Sequence, residues 1–498
     1  MNVNPITRLD YPDLDVIRVE DTYYMVSTTM HFMPGCEILQ SFDLVHWEHV
    51  TYVYETLDHT DAQQLKSGQN IYGQGMWAAS LRYHEGRFCI CFVANDTRKT
   101  YLYTSEKIDG PWKKQLIEGF YHDGSLLFDE DGRNYIVYGN DEIWITELNE
   151  DLTAPKKDGL HRLLVSDHKN PELGYEGSHI QKINGYYYIF LIHSLRDRWM
   201  RTEACFYSDS LEGEFTGGDV LCDDRGYCGQ GVAQGGIVDT PDGKWYAMLF
   251  QDSGAVGRIP ILLPVTWKDH FPFFGQNGHV PEEIEVHSTR PGYIYQPLVG
   301  SDDFCNGLLP RWQFNHDPDP RYYHLDALQG TYTITTREVC IELTQAVNTL
   351  TQRMSYPSCA AEVTVDASAL KEGDVAGLCA LQSCYAAVGI TKHHGKYEVL
   401  MLDKKEDGIL DMTERTVVES HQMDFRLEAD FCNMKDEARC YYRVNKGDWL
   451  PIGTVHKLYF KLDHFTGCRF GLFCYAAEET GGSACFRDFK YYDVDEIS

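Results

Sequence analysis

Five residues share one repeated position in this chain: Asp13, Trp77, Asp123, Glu176 and Gln234. The last four each stand nine residues ahead of a turn glycine, namely Gly86, Gly132, Gly185 and Gly243. Asp13 stands nine ahead of Thr22 in a stretch of the same kind. Repeats arranged around an axis would bring such equivalent residues to one spot. Crowded carboxyl groups push one another's pKa values apart, so that one can stay protonated beside an ionised neighbour. Glycoside hydrolysis asks for that pairing: a protonated carboxyl for the leaving oxygen, and a carboxylate as base or nucleophile. A third carboxylate would tune the acid, and an indole edge offers a platform for a sugar ring. Any single Asp before a strand is more often a turn or cap residue. Three acids at one position are costly without a use. Calcium ligation is the main rival for the set, since carboxylates and carbonyls suit that ion. Asp15 reads as a structural turn residue, and Trp77 fits core packing as well as a platform. Arg258 in "GAVGRIPILLP" reads equally as a surface arginine or as a clamp on sugar hydroxyls.

The elements that would position these residues are hairpins. "DVIRVEDTYYMVSTT" (15–29), "SLRYHEGRFCICFVAND" (80–96), "SLLFDEDGRNYIVYGND" (125–141), "HIQKINGYYYIFLIHS" (179–194) and "GIVDTPDGKWYAMLFQD" (236–252) are each an apolar strand, a polar turn and an aromatic-rich strand. Further strands follow the first four, as in "ILQSFDLVHWEHV" (38–50) and "YLYTSEKIDGPWKK" (101–114). Strand units repeated in this way argue for a propeller, and five hairpins predict five blades. An ordinary sandwich with coincidental hairpins is the plainer alternative, and five aligned copies weigh against it. A Pro- and Gly-containing linker (288–304) precedes irregularly spaced alternating strands, which suggest a sandwich. The expected organisation is all-β: a five-bladed β-propeller catalytic domain over 1–295, then a jelly-roll-like β-sandwich over 303–498.

Bulk composition narrows the partners. Lys and Arg number 44 against 75 Asp and Glu, a formal net charge of −31. Nucleic acid needs a basic face, as does an anionic membrane, so a neutral oligosaccharide fits better. The acid excess is as well explained by solubility. None of the 16 cysteines sits in a CxxC pair, which removes zinc-site spacing. No basic and apolar leader opens the chain, and no apolar run could span a bilayer. The expectation is a cytoplasmic protein with reduced thiols, with homo-oligomerisation left open.

Several stretches together resemble glycoside hydrolase family 43: "NPITRLDYPDLDVIRVEDTYYMVSTTMHFMPG", "MWAASLRYHEGRF", "DGSLLFDEDGRNYIVYG", "YEGSHIQKINGYYYIF" and "QGGIVDTPDGKWYAMLFQDSGAVGRIP". The later "SDDF", "NTLTQR" and "FTGCRFGLFCYA" resemble the sandwich of its β-xylosidase and α-L-arabinofuranosidase branch. The resemblance implies an inverting exo-hydrolase that releases xylose or arabinose from short hemicellulose oligosaccharides, with β-xylosidase ahead of α-L-arabinofuranosidase. It implies Asp13 as general base, Glu176 as general acid and Asp123 as the auxiliary acid that tunes Glu176. It also implies Arg258 as a substrate ligand, and Met30, His31 and Phe32 as a wall of the sugar pocket. Two departures stand out. The usual "PDP" is "PDL" here, and the fifth blade carries Ala233 and Gln234 where many relatives have a histidine linked to calcium. No metal ligand and no required cofactor are therefore expected, a channel calcium is doubtful, and Gln234 is expected to bond the sugar. A silent carbohydrate-binding propeller is the alternative from another class, and retention of all three acids opposes it. A retaining fructan or sucrose hydrolase is disfavoured because its "NDPNG" and "RDP" motifs are missing.

Overall fold

The computed structural model describes residues 2–462 and 464–493. The described residues form strands, loops and three single-turn 3-10 segments. Five four-stranded antiparallel sheets come first. Their innermost strands are Asp15–Val19, Met76–His84, Ser125–Phe128, Glu176–Ile183 and Val232–Asp239, each paired to the strand that follows it. Each innermost strand touches the next and the fifth touches the first, which closes a five-bladed propeller. The second strands, such as Tyr186–Ser194, are buried almost throughout. A strand covered on both faces by neighbouring blades reads as a continuous apolar run, and hence "YYYIFLIHS".

The ring closes where blade 1 meets blade 5. Asn2–Val3 pairs with Glu283–Ile284. The Asn4 side chain donates to the carbonyls of Leu262 and Pro281, and Arg18 meets Asp239. Leu14, Val16 and Tyr23 share a core with Val238, Met248 and Leu262 across that junction.

At the top of the innermost strands the ladder is interrupted. Register shifts fall between Met76 and Ala79, Glu176 and His179, and Ala233 and Gly236. Asp13, Asp123 and Gln234 take left-handed φ values of 52°, 48° and 60°. A bulge leaves a residue out of the ladder and re-aims its side chain, and Asp tolerates the left-handed region better than most residues. Every blade thus carries a register shift or a left-handed residue at the repeated position, where the side chain turns toward the axis.

The later chain forms eight- and seven-stranded antiparallel sheets around a shared apolar core, a β-sandwich. The eight-stranded sheet ends on a strand of blade 1: Phe32–Met33 pairs with Gln313–Asn315. Propeller and sandwich are thus joined edge to edge beside the channel mouth.

Candidate active site

A cavity of about 260 Å³ opens at that mouth. Asp13, Trp77, Asp123, Glu176 and Gln234 all line it, as does Arg258. His122, Asn140 and Leu173 complete the propeller's share, and Leu462 and Phe465 reach in from the sandwich. Arg258 is 5% exposed, so it is no surface arginine. Trp77 is half-buried, with its ring edge-on to Phe465 at 5.2 Å.

Asp13 is held from two sides. Thr28 Oγ1 donates to Oδ2 at 2.6 Å, and an Arg258 guanidinium nitrogen donates to Oδ1 at 2.5 Å. Arg258 is itself fixed by Asp252 at 3.2 Å and by its main-chain N–H to Asp10 at 2.7 Å. Its guanidinium lies 3.9 Å from the centre of the Phe465 ring and 4.6 Å from that of Phe250, geometry that favours a cation against an aromatic face. The second Asp10 oxygen accepts the Gly467 N–H at 2.8 Å. One buried carboxyl therefore ties the Arg258 strand to the loop that carries Phe465.

Asp123 accepts the Gly177 N–H at 3.0 Å. Gly177 has φ 64°, and a Cβ there would meet the Gln234 side chain at 2.7 Å, so glycine is required directly after Glu176. Burial pushes Asp123 up to about 6; His122 opposes this, while Glu176 and Asp13 add to it. Glu176 Oε2 accepts Asn140 Nδ2 at 2.7 Å. Burial alone would raise the Glu176 pKa, yet His122, Arg201 and Arg258 hold it below its ordinary value. His122 Nε2 lies 3.5 Å from Glu176 Oε2 and 3.6 Å from Asp123 Oδ2. The Asp123 charge and then Glu176 raise His122 to about 9 despite burial. Ligand-type atoms of His122, Asp123 and Glu176 lie within 4.8 Å of one another. Among the described residues, this is the trio whose spacing could hold one metal ion.

Met30, His31 and Phe32 are not among the lining residues. They are buried in the seam behind the pocket. His31 packs against His316 of the sandwich at 4.8 Å, Phe32 lies under the Arg469 guanidinium at 3.5 Å, and Met30 Sδ accepts the Thr466 hydroxyl at 3.5 Å. They support the sandwich loop rather than face the pocket. Asp15 is no turn residue either. It is fully buried in the channel, where its carboxylate accepts Arg82 Nη1 at 2.7 Å and the Leu81 N–H at 2.8 Å, with His179 at 3.2 Å. Arg82 also donates to the Leu126 and Ile180 carbonyls and to Ser125 Oγ, and so links blades 1 to 4 from inside the channel.

Residue-pattern reasoning overlooked His122, Asn140, Thr28 and Phe465. Asn140 and Asp252 close the second strand of a blade and Thr28 stands two residues past one, at the polar ends of "VSTT", "YGND" and "FQD". Aligning those ends as well as the turns would have found them. Phe465 carries no local signal.

A propeller that gathers three carboxyl groups, an arginine and an indole around one sugar-sized cavity holds the groups that glycoside hydrolysis requires. Residues 3–272 match the family described as "Glycosyl hydrolases family 43", and residues 301–492 match "Beta xylosidase C-terminal Concanavalin A-like domain". The chain belongs to glycosyl hydrolase family 43. A "Beta-xylosidase" of Formosa agariphila is 27% identical over 99% of this chain and 89% of its own length. A "Non-reducing end alpha-L-arabinofuranosidase" of Bacteroides ovatus is 23% identical over 82% of this chain and 79% of its own. Among solved structures, a "Bifunctional GH43-CE" protein of Bacteroides eggerthii superposes with a TM-score of 0.91 at 41% identity. That match covers all of this chain and 64% of the other.

Proposed function

We propose that the enzyme removes single xylose units from the non-reducing ends of short xylan-derived oligosaccharides, with inversion at the anomeric carbon. Asp13 takes the proton of the attacking water, Glu176 protonates the leaving oxygen, and Asp123 assists Glu176. One observation carries this reading. Asp13 and Glu176 face the same cavity, yet Asp13 is oriented by Arg258 and Thr28 while Glu176 is grouped with Asp123 and His122. Two carboxyl groups in unlike surroundings can take unlike roles. The cavity is short and is walled by Leu462 and Phe465, which suits an end unit better than mid-chain cleavage. Trp77 and Gln234 contact the sugar, and Arg258 both aims Asp13 and binds hydroxyls. No cofactor enters this scheme, and the Arg82 guanidinium supplies positive charge beside Asp15 in the channel. The relatives described as β-xylosidases support xylose, whereas the Bacteroides ovatus relative supports arabinofuranose as the second reading.

The test is turnover of an aryl β-xyloside and an aryl α-L-arabinofuranoside by wild type, Asp13→Asn and Glu176→Gln, with the first-formed anomer followed by NMR. Faster hydrolysis of the xyloside, an inverted product and loss of activity in both variants are expected. A retained anomer contradicts the mechanism, and preference for the arabinofuranoside reverses the substrate order.

A further inference from the structure

Resting on the contact proposed above between Gln234 and the sugar, we propose that Glu203 is a positioning residue for the sugar site: its carboxyl holds the main-chain N–H of Gln234 and so fixes where the Gln234 amide meets the substrate.

The bulge in blade 5 creates the need for such a group. Ladder pairing breaks between Ala233 and Gly236, and Gln234 sits in that gap with φ 60°. A residue left out of the ladder keeps a donor that must find another acceptor when it is buried. Gln234 is 3% exposed, and Glu203 Oε2 accepts its N–H at 2.7 Å. The Gln234 side chain lines the cavity and lies against Gly177, where a Cβ would stand 2.7 Å from Gln234 Cγ and 2.9 Å from Nε2. Among the described residues, no hydrogen bond holds its side-chain amide. The amide is therefore aimed by its backbone anchor and by the space over Gly177, and its own donors and acceptor stay free for sugar hydroxyls.

The sheet of blade 4 delivers Glu203 to that point. Glu176 stands opposite Ile192 on the second strand, and Ile192 stands opposite Glu203 on the third, Arg201–Ser208. The third strand of blade 4 also touches the innermost strand of blade 5. One row of one sheet thus carries the catalytic acid at the axis and the Gln234 anchor behind it.

Glu203 is fully buried, and its Oε1 has no hydrogen-bond partner. Among the described residues, no cation pairs with it; Arg201, two positions earlier, meets Asp252 at 3.2 Å instead. Burial pushes the Glu203 pKa well above its ordinary value, with the Gln234 N–H opposing. A neutral carboxyl still accepts through its carbonyl oxygen, so the anchor adds no further negative charge behind Glu176. A buried carboxyl with an unused oxygen is costly for stability. A residue that breaks this local rule beside a substrate cavity fits a group kept for position.

The experiment measures kcat and KM on xylobiose in the full chain. The variants are Gln234→Ala, Glu203→Met, Glu203→Asp and Glu203→Gln, with the Met and Asp changes repeated in the Gln234→Ala background. Gln234→Ala should raise KM about 10- to 30-fold. Glu203→Met removes the acceptor, and Glu203→Asp draws the same carboxyl one methylene back from the N–H. Each should raise KM about 5- to 20-fold and change kcat less than about 3-fold, as expected for binding shared by ground and transition states. Glu203→Gln keeps a carbonyl oxygen within reach and should bring KM back to within about 3-fold of wild type. Once Gln234 is alanine, either Glu203 change should cost less than about 2-fold in kcat/KM, because the anchored side chain is gone. A merely structural role would cost as much in that background as in wild type, and such additivity in either cycle overturns the proposal. A KM raised as far by Glu203→Gln as by Glu203→Met overturns it too. An unchanged KM in Gln234→Ala instead removes the sugar contact on which the role of Glu203 depends.

Discussion

Replacing Arg82 with Met removes the cation from the channel while keeping most of the side-chain volume. The carboxylate left behind, Asp15, is fully buried and retains only His179 at 3.2 Å and the Leu81 N–H at 2.8 Å. Bonds to the Leu126 and Ile180 carbonyls and to Ser125 Oγ disappear with the guanidinium. Breaking a buried ion pair by deleting one partner costs about 3–5 kcal/mol. At roughly 2–4 °C per kcal/mol for a large domain, the propeller transition should drop by on the order of 10 °C. Scanning calorimetry and urea unfolding at pH 7 measure it. The double variant Asp15→Asn/Arg82→Met removes the stranded charge and should recover about half of the loss. Burial alone would raise the Asp15 pKa, but Arg82 and His179 bring it down to about 2, below the ordinary 3.8. A depressed carboxylate stabilises the fold above its unfolded pKa, and that contribution is lost as pH falls through the folded value. The gap between wild type and Arg82→Met should therefore be full above about pH 4 and narrow toward pH 2. A loss under about 1 kcal/mol, or a double variant no more stable than Arg82→Met, would refute the view of Arg82 as the channel's structural cation.

Other expectations follow from the same contacts. Thr28→Val removes a charge-assisted bond to Asp13 and should lower kcat/KM by about 10- to 100-fold with little change in Tm, read by steady-state kinetics. Phe465→Ala opens the wall that the sandwich supplies and frees Arg258; KM should rise about 10-fold, and an unchanged KM would remove the loop from the site. Burial would raise Glu37, but Arg353 at 2.8 Å and His49 lower it to about 2. The melting-temperature gap between wild type and Glu37→Gln should accordingly be widest above about pH 5 and close as pH falls toward 2.

The propeller was legible because its blades repeat. Turn glycines, aromatic second strands and an acid nine residues upstream recur closely enough to be aligned. Asp13, Asp123 and Glu176 were legible for the same reason, since each stands at or just ahead of the start of an innermost strand. His122 escaped because no other blade uses the residue just ahead of the repeated position in this way. Phe465 escaped because it arrives from 388 positions beyond Trp77 in sequence. Met30, His31 and Phe32 were misplaced because the short strand Phe32–Met33 leaves blade 1 and completes a sandwich sheet. A local pattern cannot show which of two sheets a short apolar strand joins. Asp15 misled because a carboxylate at the head of a strand looks alike whether it caps a turn or pairs with an arginine 67 residues away.

The most direct measurement of Asp13 and Glu176 as base and acid is the leaving-group dependence of their variants. Glu176→Gln should lose about 10²- to 10⁴-fold in kcat on xylobiose while keeping most of its rate on a dinitrophenyl β-xyloside. Asp13→Asn should lose comparably on both, because water activation is needed whatever departs. Equal losses on the two substrates in Glu176→Gln, or a dinitrophenyl rate spared in Asp13→Asn, would contradict the assignment.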